Sequence, residues 1–145
     1  MQTKKNFEYK GFIIIILVTS IWINISEVFR YFAIVRPEMH TYLYMVPHVA
    51  DMNIGIFALW AIWDTVLSIL VVLSFWLIAE KFGYSAKTAV LSGTFSWFWL
   101  FFMFWFAFAN MNLSSWSFIV IPMALSWIEM VIASYITWLL FNKWR

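Results

Sequence analysis

Four runs of apolar residues, each about as long as a bilayer is thick, leave this chain few folds to choose from. They lie at Phe12–Val35, Ile54–Ala79, Thr88–Ala109 and Phe118–Phe141, and roughly 20 apolar residues are enough for a helix to cross hydrocarbon. The runs are continuous rather than alternating. Lipid offers no partner for a free backbone N–H or C=O, so each run predicts a helix that satisfies its own backbone. Outside the runs little is left to build a water-soluble surface: 65% of the residues are hydrophobic and 11% charged, against about 25% charged in soluble domains. The expectation is an all-α polytopic membrane protein, with residues 1–145 forming a single domain of four transmembrane helices.

The joins Glu80–Lys87 and Asn110–Ser117 are short, which makes successive helices neighbours in an antiparallel bundle. Lys4, Lys5 and Lys10, then Lys81 and Lys87, then Lys143 and Arg145 fall on one side of such a bundle; only Arg30 and Arg36 fall on the other. Positive charge favours the inside, so both termini are expected in the cytoplasm, in the plasma membrane of a bacterium or archaeon. The opening Met-Gln-Thr-Lys-Lys resembles the basic end of a signal peptide. However, the apolar run continues past Ser20 with no small-x-small cleavage site, so an uncleaved first span is expected.

The basic residues near segment ends account for the net charge of +2. They suit anionic headgroups rather than nucleic acid. With no cysteine, disulfides, thiolate metal sites and cysteine nucleophiles are excluded. No phosphate-cradling glycine loop, Ser-His-Asp order or HExxH is present, and no cofactor is expected.

The first external join, between Arg36 and Asn53, is the longest. Pro37 and Glu38 suit a helix start, and Pro47 would close a short interfacial helix over Met39–Val46. Tyr42, Tyr44 and Met45 would then rest against lipid or bundle. Such a helix serves either as a lid over the outer mouth or as a plain aromatic anchor.

Against this apolar background the polar residues stand out. Ser20, Asn24, Glu27 and Tyr31 follow 4-3-4 spacing and share one face of the first helix, with Arg30 beside them. Asp64 in the second run and Glu129 in the fourth each lie about 11 residues in, roughly 16 Å of helix and near mid-bilayer. Depth alone therefore allows Asn24, Asp64 and Glu129 to meet, with Glu27 and Arg30 above them. Two stripes of small or polar residues, Pro122, Ser126, Glu129, Ala133 and Thr137 in the fourth run and Ala89, Ser92, Gly93 and Ser96 in the third, are expected to pack helix on helix.

Ionisable groups inside a membrane are costly and usually functional. Three carboxyls against one guanidinium leave an excess of acid that a proton or a bound cation would neutralise. Asp64, Glu129 and Glu27 are accordingly the candidates for proton or cation exchange, or for acid–base chemistry. Asn24, Arg30, Trp60, Trp63, Trp127 and Ser126 are the candidates for holding a ligand, since Trp faces beside carboxylates suit an organic cation or a flat apolar molecule. For Glu27 and Arg30, spaced i, i+3, the competing expectation is a simple pair with Arg30 snorkelling outward. No metal site is expected; His40, His48 and Asp51 in the external join are the weak candidates, matching no zinc spacing.

The leading expectation is a proton- or cation-coupled carrier of a small apolar or cationic molecule, with an acid-lined pocket open to the outer leaflet. A membrane-embedded enzyme acting on a lipid-like substrate and an accessory subunit of a larger complex are the alternatives. Besides the bilayer, the expected partner is a second copy of the chain or another membrane subunit, and no nucleic acid.

Overall fold

The computed structural model describes residues 9–144; Lys4, Lys5 and Arg145, which carry part of the expected charge asymmetry, lie outside them, as does the Met-Gln-Thr-Lys-Lys start. Among the described residues the regular structure is all helical, and four helices are long and apolar enough to cross a membrane: Tyr9–Tyr42, Ile54–Phe82, Ala86–Asn110 and Val120–Lys143. That is compatible with a multi-pass membrane protein.

The first long helix overruns the expected Val35. It consists of α1 (Tyr9–Arg30), a π turn (Tyr31–Val35) and α2 (Arg36–Tyr42) in unbroken succession, so the segment beginning at Pro37 prolongs the first helix instead of forming a separate one. Proline lacks an N–H, and in a regular α-helix its ring collides with the carbonyl four residues back. The wider π turn just before Pro37, in which the Arg36 N–H reaches the Tyr31 carbonyl, relaxes that ladder and lets the helix continue. After Tyr42 the chain runs as turns and bends, and Pro47 closes no helix.

The other helices begin and end on recognisable signals. α3 (Ile54–Phe82) is capped by Asn53, whose side-chain oxygen accepts from the Ile56 N–H at 3.0 Å. It ends at Gly83, with φ +86°. The third long helix is α4 (Ala86–Trp97), a second π turn (Phe98–Phe102) and α5 (Met103–Asn110), with Ser85 capping the Thr88 N–H. It closes with Asn112 in the left-handed region, φ 57°. α6 (Val120–Trp144) carries Pro122 in its first turn, where the missing N–H costs nothing.

Packing follows the small residues. Ala89, Ser92, Gly93 and Ser96 are all buried, as are Pro122, Ser126, Glu129, Ala133 and Thr137. α4 and α6 approach so closely that a Cβ on Gly93 would stand 2.6 Å from the Val131 Cα. Thr19 and Thr137 bring their hydroxyls to 3.2 Å between α1 and α6. Ile23, Leu67, Val71, Phe101, Trp105 and Met130 belong to the larger apolar core, and Phe75, Ala79 and Ala89 to a second one beside Tyr84, Trp138 and Phe141. Unlike α4, α5 makes no comparable backbone approach to α1, α3 or α6. The space left beside it is filled by side chains only in part, and there the cavity lies.

Candidate functional site

A partly open cavity of about 230 Å³ lies between α1 with its π turn and α2, the first half of α3, and the second π turn with α5. Six of the expected residues, Asn24, Glu27, Arg30, Trp60, Trp63 and Asp64, line it. The sharing of one face by Asn24, Glu27 and Tyr31 delivers all three to the same wall.

Arg30 is the hinge of the polar arrangement. It is 4% exposed, and helical side chains lean toward the N-terminus, so its guanidinium drops back along α1 rather than snorkelling outward. One nitrogen donates to Glu129 Oε2 at 2.7 Å. Another pairs with Glu27 on its own helix. The plane lies 4.7 Å from the centre of the Phe101 ring in the second π turn, a cation–π contact. Ser26 completes the group by donating to Glu129 Oε2 at 2.8 Å, and the Trp22 indole donates to the Glu129 backbone carbonyl at 3.1 Å. A guanidinium forked between two carboxylates suits burial in a way a lysine would not.

Glu129 itself is 1% exposed and lies off the cavity, on the α6 side of Arg30. Depth alone allows it to meet Asp64 and Asn24; in the structure it pairs with Arg30 and does not line the cavity they share. Ser126 and Trp127 also lie off the cavity. The Ser126 hydroxyl donates to the Met123 carbonyl, and the half-exposed Trp127 donates its indole N–H to Thr94. α6 turns its polar stripe toward α1 and α4, so these two side chains support helix packing rather than the cavity wall.

Asp64 is the opposite case. It is 4% exposed, lines the cavity, and its Oδ1 is buried without a hydrogen-bond partner. Ser68, one turn below, donates to the Asp64 backbone carbonyl and not to the carboxyl. Asn24 spends its amide N–H on Ser20, at 2.8 Å to the carbonyl and 3.1 Å to the hydroxyl. Its side-chain oxygen is left as an acceptor on the same wall.

The join between the first two long helices borders the cavity. Met39 and Met52 line it, and Tyr31 donates its hydroxyl to the Ala50 carbonyl at 2.6 Å. Ala50 has φ 54°, a conformation that costs a non-glycine residue about 1–2 kcal/mol, so the Tyr31 bond holds a strained loop in place. His48 and Asp51 pair with each other at 3.0 Å on the exposed side of this loop, and His40 is exposed on α2. Among the described residues no three His, Cys, Asp or Glu side chains gather as a metal site would require.

Sequence reasoning passed over Ser26, Trp22, Phe101 and Trp105. Ser26 precedes Arg30 by four residues, a helical neighbour spacing that would have found it. Nothing in the aromatic run from Phe95 to Phe106 singles out Phe101 or Trp105; their selection comes from the π turn, which re-aims the helix beyond it. Both π turns border the cavity, as such turns often do at functional sites. Comparison of the chain with protein-family models, with curated proteins and with solved structures gave no match.

Proposed function

We propose that this chain is a multi-pass membrane protein that carries a small apolar or cationic molecule, exchanging it against a proton or cation at Asp64. The observation that carries the reading is the Asp64 carboxyl, buried on an aromatic-walled cavity with an unpartnered oxygen. A carboxylate without a partner is expensive in apolar surroundings, and either a proton or a cationic ligand relieves that cost. Competition between the two is the simplest coupling a carrier can use. Glu27 and Arg30 stand on the same wall and gate it, Asn24 offers an acceptor, and Glu129 holds Arg30 from behind. The cavity volume of about 230 Å³ sets the scale of the cargo.

In this reading the helices alternate in direction and both termini are cytoplasmic. Ring contacts support the alternation: Phe12 meets Trp76 and Phe141, and Phe141 meets Tyr84. Far along the chain from these, Tyr42 donates to Asn112. A second copy, or a partner subunit, would complete the path, because α6 contributes nothing to the cavity wall.

The test uses purified protein in liposomes with a trapped pH-sensitive dye. Gradients of sodium, potassium, small organic amines and neutral arenes are imposed in turn. At least one of them is expected to drive proton movement with wild-type protein, and Asp64→Asn is expected to abolish it. No movement across the whole panel rejects the carrier. A chemically altered lipid without flux would replace it with an enzyme. Co-purification with a larger complex that tolerates Asp64→Asn would replace it with a docking subunit.

A further inference from the structure

We infer that the cavity is built for a protonated amine with a compact apolar body. The inference rests on the carrier reading of the same cavity and narrows its cargo.

The donors are largely committed. Arg30 is shared between Glu27 and Glu129, the Tyr31 hydroxyl is bound to Ala50, and the Asn24 amide is bound to Ser20. Among the buried wall atoms of the described residues only the Trp105 indole N–H is a free donor, and it is neutral. An anion brought here would find no uncommitted positive charge, and it would face Glu27 and Asp64 as like charges. Besides that neutral N–H, what remains open is acceptor: the buried Asp64 Oδ1, with the Asn24 side-chain oxygen on the same wall. A ligand must therefore supply N–H donors and, to satisfy a buried carboxylate, a positive charge.

The rest of the wall gives the body of the ligand its character. Phe57, Trp60, Trp63 and Phe104 line the same cavity as the polar group. Aromatic faces attract a cation electrostatically and an apolar body by burial. These side chains are also about half exposed, which makes theirs the accessible flank of the cavity. An amphipathic amine would reach the site through that flank.

The experiment is saturable binding to the full chain in lipid nanodiscs, corrected against empty nanodiscs. Three probes that share a phenylethyl body are compared: 2-phenylethylamine, 2-phenylethanol and 3-phenylpropanoate. The amine is expected to bind saturably and at least tenfold tighter than the alcohol or the carboxylate. Asp64→Asn, which keeps the shape, is expected to weaken the amine at least tenfold and leave the alcohol unchanged. Because the charge series is read on wild-type protein, it stands even where the variant fails to fold. Equal binding of amine and alcohol, tighter binding of the carboxylate, undiminished amine binding in a folded Asp64→Asn, or no saturable binding at all would each overturn the inference. The two readings fail separately: amine binding without proton movement sinks the carrier alone, and proton movement driven by an alkali cation without amine binding sinks the amine alone.

Discussion

Arg30 shows how little of a buried charge's role is visible on its own helix. Its pair with Glu27 is a local i, i+3 contact, but its bond to Glu129 joins residues 99 positions apart. Two carboxylates share one guanidinium that is itself buried, so removing the cation leaves uncompensated charge. Arg30→Met is expected to destabilise the protein by about 3–5 kcal/mol. Adding Glu129→Met should recover part of that loss, because the second change removes one of the stranded acids. Unfolding of the protein in mixed micelles measures both. If the double variant is as unstable as the sum of the singles, Arg30 and Glu129 are not coupled.

At the level of elements, the tightest demand is where α4 crosses α6. A methyl group on Gly93 would enter the backbone of Val131 and Met130, with contacts of 2.6 and 2.7 Å, and backbone cannot swing aside as a side chain does. Gly93→Ala is expected to cost about 1–3 kcal/mol through overpacking. Gly55→Ala is the control, since its Cβ would meet only the Asn53 side chain at 3.4 Å; it should be neutral or slightly stabilising. Equal melting temperatures for the two variants would mean that the close approach contributes nothing. The small stripe around Gly93 was legible as a packing face because it depends only on residue size and helical period. The two π turns were not legible, since a ladder widened by one residue leaves no compositional mark. Pro37 read alone predicted a break, and only the neighbouring turn shows why the helix passes through it.

For the whole molecule, the proposed alternation of the helices places Phe82 and Met111 on opposite faces of the membrane. Both are well exposed at helix ends, and the chain has no cysteine of its own, so single cysteines report cleanly. Met111→Cys is expected to react with a membrane-impermeant maleimide in intact cells, and Phe82→Cys only after lysis. Labelling of both from outside refutes the alternation, and the reverse pattern inverts the orientation.

Sequence by itself determined the four long apolar helices, the small-residue faces and the shared face of the first helix that carries Asn24 and Glu27. Those follow from length, period and the cost of burying polar atoms, which are properties of each segment in isolation. Tertiary structure decided which acid the guanidinium takes, that Asp64 keeps an oxygen free while Glu129 is sealed away, and which aromatics turn inward. Each of these is a contest between side chains far apart in the chain, and depth along a helix does not reveal which of them stand within reach of one another.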